Sequence, residues 1–234
     1  VLSLIQKTLN SKIHFNGVGL HSGIKTKMTL IPAPPNHGIV FKRSDLKNKN
    51  LIDANFANVK QALLCTTIEN EFGISVSTIE HLLGALCGQG IDNLIVEVDS
   101  SELPIMDGSA KEFVYKIKKI GIKNYDTPKK YIKVQKKFEY RKGEKFITIE
   151  PSDNELIIDF EIVYKNSLIK NQRKRVNLSK DNLDEIYNSR TFCLFEDINK
   201  IKKMGLAKGG SLDNAIVIQD TKILNKDGLR HKNE

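Results

Sequence analysis

The sequence predicts an α+β fold in which a unit of strands and helices occurs twice. The hydrophobic share of 40% and the charged share of 28% are those of an ordinary globular chain. Short strand-like segments are combined with a few amphipathic helices. The pattern IDNLIV at 91–96 returns as LDNAIV at 212–217, each time after a predicted helix and a glycine-containing loop and before a predicted strand. Chance similarity of six residues is the alternative to a duplicated unit.

The elements of the first half follow from periodicity and from turn residues. Residues 8–16 and 25–31 predict two strands joined by a glycine-rich turn, and Pro32 ends the second because proline cannot donate to a strand ladder. Thr78 is expected to cap the helix that follows it. The remaining elements come from the same signals: strands over 38–43 and 94–98, helices over 79–86 and 111–120.

The second half is predicted to begin after a linker near 123–130. The basic run at 170–175, KNQRKR, favours a solvated loop or strand edge, with a phosphate contact as the alternative. The remaining predictions are strands over 131–140, 145–151 and 156–164, and helices over 183–188 and 196–204.

Charge and cysteine content limit the classes of protein. Lys and Arg number 37 against 28 Asp and Glu, a net charge of +9, but most of the cations are lysine rather than the arginine that pairs best with phosphate. No apolar run approaches the ~20 residues of a membrane helix, so stable membrane insertion is not expected. The three cysteines are far apart and form no CxxC motif, which favours a reducing compartment, the cytoplasm.

Glu80 and His81 are the first candidates for chemistry. They are adjacent on a predicted helix, so their side chains diverge by ~100° and cannot approach one metal along the same line. They could border one pocket, where one ligates while the other moves protons. An ordinary, partly exposed helical pair is the alternative, because the HExxH motif is absent and a catalytic zinc needs three protein ligands.

Three further segments have both a functional and a structural interpretation. Asp107 to Ser109 could belong to a site or simply cap the next helix. Thr191 stands beside Phe192, where it could equally be a helix cap or a strand end. The glycine-rich stretch 205–214 could let a substrate approach the backbone or be a plain turn; it matches neither GxxxxGK[ST] nor GxGxxG.

Eight segments, taken in order, resemble one known family over essentially the whole chain. They are GVGLHSG at 17–23, GIVF at 38–41, STIEHLL at 77–83, GIDN at 90–93, ELPIMDGS at 102–109, SRTF at 189–192, GGSLD at 209–213 and LNKDGLR at 224–230. The chain resembles the UDP-3-O-acyl-N-acetylglucosamine deacetylases, zinc hydrolases of lipid A biosynthesis. The resemblance implies two domains of similar topology, 1–125 and 130–234. Each is a β-sheet packed against two helices, the second is incomplete, and the active site lies between them.

The resemblance also implies the roles of individual residues. Glu80 would be the general base, His81 the first ligand of the zinc ion (Zn2+), and Thr191 a donor to the oxyanion. The substrate would be a UDP-linked, 3-O-acylated N-acetylglucosamine that loses its N-acetyl group. The remaining matched positions would line the passage for the acyl chain: Leu20, Phe192, Ile198, Gly210, Ser211 and Leu212.

One departure from the family pattern is large. The family's other zinc ligands lie in a later helix of the form HKxxD, and a still later histidine is its general acid. The register places His231 in the spacer before that helix, so two zinc ligands, a lysine that contacts UDP and the general acid are not expected within these residues. Either the chain is a fragment of an ordinary enzyme, or it is a natural short form that is inactive or completed by a partner.

Two other functions remain alternatives to the enzyme. One is a non-catalytic remnant that only binds the acylated nucleotide sugar. The other is a basic module that binds nucleic acid through 116–145 and 170–175, although it lacks interleaved aromatic residues and a known motif. With the deacetylase as the main hypothesis, we expect no nucleic-acid partner and a monomer.

Overall fold

The computed structural model describes residues 4–61, 63–153 and 155–234 and has the predicted α+β architecture. The strands are β1 (Ile5–Leu9), β2 (Ile13–Val18), β3 (Lys25–Pro32), β4 (Ile39–Arg43), β5 (Leu51–Asp53), β6 (Val59–Gln61), β7 (Thr67–Glu69), β8 (Ser75–Ser77), β9 (Leu94–Val98), β10 (Ile122–Pro128), β11 (Phe138–Lys142), β12 (Lys145–Ile149), β13 (Ile157–Val163), β14 (Asn171–Asn177), β15 (Phe192–Leu194), β16 (Ile216–Gln219) and β17 (Lys222–Ile223). The helices are α1 (Glu80–Gln89), α2 (Lys111–Ile120), α3 (Asp184–Asn188) and α4 (Phe195–Lys203), with a 3₁₀ turn at Phe56–Asn58.

A five-stranded sheet in the order β2-β3-β9-β4-β5 forms the base of the first half. The central strand β9 runs antiparallel to β3 and parallel to β4, and Leu94, Val96 and Val98 on alternate positions are completely buried. Helices α1 and α2 contribute to the same core, where Phe15 of β2 meets Phe113 of α2 edge-on, with ring centroids 5.1 Å apart. This core fixes the positions of both helix N-termini.

The region predicted as one strand over 8–16 is two strands. β1 and β2 are separated by a turn, and β1 pairs with β10 rather than with the sheet that contains β2. Residues 123–130, predicted as a linker, therefore lie largely in a strand. The prediction failed because most residues of β10 are polar and the strand ends in Pro128, features that also suit a linker.

The strand predicted over 131–140 is also shorter than expected. Regular structure begins only at β11, which forms a two-stranded hairpin with β12. The basic run 170–175 falls in β14, paired only with β13, so the strand-edge interpretation is correct. Both helices predicted for the second half are present as α3 and α4, shifted by one residue at their starts.

The repeated DN pattern occupies equivalent places in two sheets. Asn93 precedes β9, which is parallel to β4, and Asn214 precedes β16, which is parallel to β15. Both side chains are buried, and each binds neighbouring backbone: Asn93 accepts from the Gly38 amide at 3.0 Å, and Asn214 accepts from the Ser211 amide at 2.9 Å. The shared geometry supports a common origin of the two units.

The division into residues 1–125 and 130–234 stays a prediction. A second apolar cluster, built on Ile169, Ile216 and Ile218, supports a separate core in the second half. The first cluster nevertheless includes Val176 and Tyr187, so elements of the second half also pack against the first. Among the described residues, no helix is both long enough and apolar enough to cross a membrane.

Candidate active site

Helix α1 carries the two candidate residues at its very start. Glu80 is its first residue and His81 its second. The Thr66 amide donates to Oε2 of Glu80 at 3.0 Å and so orients the carboxylate. The prediction that Thr78 caps this helix is wrong: Ile79 holds the cap position, and Thr78 has a positive φ of 57°. A β-branched residue rarely adopts this conformation, so something else must hold Thr78 in place.

Glu102 holds Thr78 and also holds the loop that follows β2. Its side chain is 2% exposed and accepts from the Thr78 hydroxyl at 2.8 Å. It also accepts from two backbone amides, that of His21 at 2.8 Å and that of Ser22 at 2.7 Å. A buried carboxylate needs such donors to offset its desolvation. Glu102 thus joins the GVGLHSG loop to the start of α1.

The segment ELPIMDGS passes between these elements and ends at the start of α2. Its backbone donates from Ile105 to Val18 at 2.9 Å, and Asp107 accepts from the Ser109 hydroxyl at 2.8 Å. The structural interpretation of this turn is correct in part, because Ser109 Oγ accepts from the Lys111 amide in the first turn of α2. Asp107 has a further partner, since Arg230 donates to it at 2.8 Å across 123 residues of sequence.

Thr191 lies next to this turn. Its amide donates to the Gly108 carbonyl at 2.8 Å, and its carbonyl accepts from Ile216 at 2.9 Å at the start of β16. Gly108 has a φ of +81°, and an added Cβ would collide with the Asn214 carbonyl. Only glycine therefore allows the two halves of the chain to approach this closely.

The pKa of His81 is set by its burial and by two nearby carboxylates. Burial is the main influence on His81 and holds its pKa below the usual value, while the charges of Glu80 and Asp107 act in the opposite direction. Burial raises the pKa of Asp107, but hydrogen bonds from Ser109 and Arg230 outweigh it, and the net pKa is lowered. His81 is therefore biased toward the neutral imidazole, the form that ligates metals. Thr191 thus contacts this turn through its backbone, and the charge of Asp107 in the same turn acts on His81.

The six residues predicted to line an acyl passage are only partly brought together. The Leu20 carbonyl accepts from the Gly209 amide at 3.0 Å, and a Cβ on Gly210 would lie 3.7 Å from Leu20 Cδ1. Ser211 and Leu212 continue this loop, and Leu212 is 45% exposed. Leu20 and Gly210 are therefore neighbours.

Phe192 and Ile198 have different surroundings. Phe192 packs edge-on against Tyr164, with centroids 5.5 Å apart, and belongs to the second apolar cluster. Ile198 is half-buried on α4, which packs against β15 and β16. Their role in substrate binding stays a prediction.

The donor set around His81 does not complete a zinc site. Within the ranges described, no three His, Cys, Asp or Glu side chains come together as a metal cluster. His231, the nearest sequence match to a second ligand, instead places its Nε2 3.0 Å from Ser189 Oγ and 3.1 Å from the Glu185 carbonyl. The described residues thus supply one of the three protein ligands that a catalytic zinc needs.

Sequence reasoning missed the residues that connect the motifs. Glu102 and Arg230 were seen only as letters within motifs, because nothing in their spacing indicates a buried carboxylate or an ion pair 123 residues apart.

Comparison with known proteins identifies the family. Residues 6–234 match the family model for UDP-3-O-acyl N-acetylglycosamine deacetylase (LpxC). Curated proteins called UDP-3-O-acyl-N-acetylglucosamine deacetylase are 42% identical in Pseudoalteromonas atlantica, 44% in Histophilus somni and 43% in Mannheimia succiniciproducens.

Each of these matches covers 232 residues, 98% of this chain and 76% of the relative. The relatives are thus longer than the matched region, in agreement with the predicted incomplete second domain. An identity above 40% over nearly the whole chain leaves no room for a chance likeness of motifs. The chain belongs to the UDP-3-O-acyl N-acetylglycosamine deacetylase family of hydrolases.

Proposed function

We propose that this protein acts in lipid A biosynthesis by removing the N-acetyl group from UDP-3-O-acyl-N-acetylglucosamine, with zinc as the cofactor. The relatives carry this substrate in their names. The observation that supports the proposal is that one segment, ELPIMDGS, contacts both the start of α1 and Thr191: its Glu102 accepts from the Thr78 hydroxyl, and its Gly108 carbonyl accepts from the Thr191 amide.

The roles proposed for the residues follow from their chemistry. Glu80, oriented by the Thr66 amide, accepts a proton from the attacking water and activates it. Thr191 donates a hydrogen bond to the carbonyl oxygen as negative charge develops there. His81, kept neutral by burial, supplies one ligand for zinc. Zinc, when bound, supplies a Lewis acid that polarises the acetyl carbonyl.

Zinc stoichiometry and acetate release together test this proposal. The full chain is loaded with zinc, and acetate and the free amine are followed by mass spectrometry during incubation with the substrate. The deacetylase hypothesis predicts about one tightly held zinc per chain and turnover that falls about a hundredfold or more in Glu80→Gln, since a general base contributes on the order of 10²–10⁴. The matched control is Glu97→Gln, on the exposed Lys42–Glu97 pair of the central sheet, which should keep its activity.

A binding protein without catalysis is the second candidate. The incomplete donor set around His81 favours it specifically. This candidate predicts that the chain binds the acylated nucleotide sugar, holds no zinc tightly and releases no acetate. Failure to bind the substrate under any zinc condition would contradict both candidates.

A nucleic-acid module is the weakest of the alternatives. In the basic strand β14, Arg173 is paired with Asp159 at 2.7 Å and Lys174 with Glu185 at 2.8 Å. These carboxylates neutralise the cations that a phosphate backbone would need. The proposal therefore includes no nucleic-acid partner. The three cysteines are free thiols, which supports a reducing compartment and hence the cytoplasm, and a monomer is proposed.

A further inference from the structure

Glu234 and Arg190 form a buried ion pair to which the proposed reaction gives no role. The side chain of Glu234 is completely buried, and that of Arg190 is 7% exposed. Oε1 of Glu234 accepts from Nε of Arg190 at 2.7 Å, and Oε2 accepts from Nη2 at 2.9 Å. The backbone amides of Arg190 and Arg230 donate to the same two oxygens. Four donors therefore fix both the carboxylate and the guanidinium that faces it.

This carboxylate is connected to both sides of the backbone contact made by Thr191. On one side, Arg190 directly precedes Thr191, whose amide donates to the Gly108 carbonyl at 2.8 Å. On the other side, Arg230 donates its own amide to the carboxylate and its guanidinium to Asp107 at 2.8 Å. Asp107 directly precedes Gly108. One side chain thus joins the residue before the donor of this hydrogen bond to the residue before its acceptor.

The backbone around Thr191 is bound on both sides, whereas its hydroxyl is not. The Ser189 amide donates to the Glu185 carbonyl at 3.0 Å, at the end of α3, and the Thr191 carbonyl accepts from Ile216 at 2.9 Å. Within the described ranges, both hydrogen bonds of Thr191 use backbone atoms, so its hydroxyl stays available to a substrate. A free hydroxyl on a fixed backbone suits a donor that meets developing charge without reorganising.

Stabilisation of the fold alone is a weak explanation for a buried ion pair. Removal of two charges from water costs most of the free energy that their attraction returns, so apolar side chains of similar volume often stabilise a core equally well. Arginine adds direction, because its donors lie in a rigid planar fork that matches a carboxylate. Nη2 of Arg190 also donates to the Gly228 carbonyl at 2.7 Å, which fixes the plane of that fork. The arrangement therefore favours a role in positioning.

We propose that Arg190 and Glu234 are positioning residues, which hold Thr191 against the Asp107–Gly108 turn so that its hydroxyl meets the acetyl carbonyl of the substrate. Neither residue is assigned a contact with the substrate. A donor to an oxyanion must lie about 2.7–3.1 Å from the oxygen, and a displacement of about 1 Å costs roughly a hundredfold in rate. The catalytic consequence rests on the proposed function, whereas the fixed position of Thr191 does not, and the two are measured separately.

Amide hydrogen exchange of the full chain tests the positioning without turnover. Arg190→Lys keeps the positive charge but loses the fork. We expect the Thr191 amide to exchange at least about tenfold faster in this variant, since a hydrogen bond between charged groups contributes about that factor to local stability. The amide of Val96, in the central strand β9, should keep its rate. The matched control is Arg173→Lys, in the exposed bidentate pair with Asp159, which should change neither rate.

Two results of this experiment would overturn the proposal. Equal acceleration at Thr191 and Val96 would mean that the pair only stabilises the fold, and an unchanged rate at Thr191 would mean that the pair does not hold this backbone. Glu234→Asp, which keeps the charge but shortens the side chain by one methylene group, should give the same local acceleration. If neither variant folds, the native chain decides: the order parameter of the Thr191 amide should be about 0.85, and a value below about 0.6 would contradict the proposal.

Turnover by the zinc-loaded chain measures the catalytic consequence. Arg190→Lys should lower kcat by about tenfold or more and change KM by less than about twofold, because an oxyanion donor acts in the transition state and its complete removal costs about 10²–10³. Arg173→Lys should change neither constant. A native chain that releases no acetate would contradict the proposed function, while hydrogen exchange still decides the positioning. An unchanged kcat in an active chain would overturn the positioning role of the pair.

Discussion

Asp107 shows how one side chain connects distant parts of this protein. It accepts from Ser109 within its own turn and from Arg230 near the other end of the chain, and it influences the protonation of His81. No chemical step is assigned to it. Its contribution is to stabilise the turn on which the proposed site depends.

Asp107→Asn should lower the free energy of unfolding by about 1–3 kcal/mol, because Arg230 loses a partly buried charged partner. Denaturant unfolding at neutral pH measures this. Glu97→Gln, which breaks a more exposed pair, should change the same quantity by less than about 1 kcal/mol. Equal losses in the two variants would show that the Asp107–Arg230 pair stabilises the fold no more than the more exposed Lys42–Glu97 pair does.

The lowered pKa of Asp107 predicts that its contribution to the free energy of unfolding is lost in acid. Its folded pKa lies below the unfolded value of about 3.9, so the stabilisation is present above that pH and is lost as the pH falls through the folded pKa. The difference in unfolding free energy between the native chain and Asp107→Asn should therefore stay constant near neutral pH and shrink below about pH 4. A difference that grows in acid would contradict this assignment.

The sequence indicated the candidate site residues better than the residues that hold them in place. Glu80, His81 and Thr191 lie in recognisable motifs, Thr191 donates to the Gly108 carbonyl, and the neighbouring Asp107 acts on the pKa of His81. The carboxylate of Glu102, which holds one loop to α1, could not be predicted, because its three donors come from residues 80, 81 and 24 positions away. Long-range hydrogen bonds leave no periodic signal.

At the scale of elements, the contact between the Asp107–Gly108 turn and the loop before β16 is a backbone contact. Gly108→Ala should destabilise the protein by more than about 1 kcal/mol, since a Cβ would meet the Asn214 carbonyl and the φ is positive. Gly84→Ala is the matched control on α1, where the space is open, and it should be neutral or stabilising by up to about 1 kcal/mol. Thermal unfolding of both variants checks this, and a neutral Gly108→Ala would argue against the close approach.

Prediction of elements succeeded where periodicity was strong and failed where pairing was distant. Helix α2 was predicted to the residue, because its apolar positions recur at helical spacing and Gly121 ends it. Strand β10 was missed, because only its pairing with β1, more than a hundred residues away, makes it a strand.

At the scale of the whole molecule, the second half leaves more of its large apolar side chains exposed to solvent than the first half does. Large apolar side chains on one face of the β11–β12 hairpin are exposed: Tyr140 at 67% is paired across the strands with Ile147 at 60%, and Phe138 with Ile149 beside them. Exposed apolar groups gathered in one place bind apolar dyes and promote association.

Ile147→Glu should therefore reduce both dye binding and concentration-dependent association, while the melting temperature stays nearly constant. Fluorescence of an apolar dye and analytical ultracentrifugation measure these quantities. Tyr115→Glu, at an equally exposed but separate position on α2, is the control and should leave dye binding unchanged. If Ile147→Glu unfolded the protein, the hairpin would have to be packed more tightly than its exposure indicates.

The most direct test of the central claim is where the acetyl group of the substrate lies. Nuclear Overhauser contacts are measured in the full chain of Glu80→Gln, which should bind UDP-3-O-acyl-N-acetylglucosamine without consuming it. We predict contacts from the acetyl methyl protons to the His81 ring and to the Thr191 methyl group. Bound substrate whose acetyl group contacts neither residue would contradict the account.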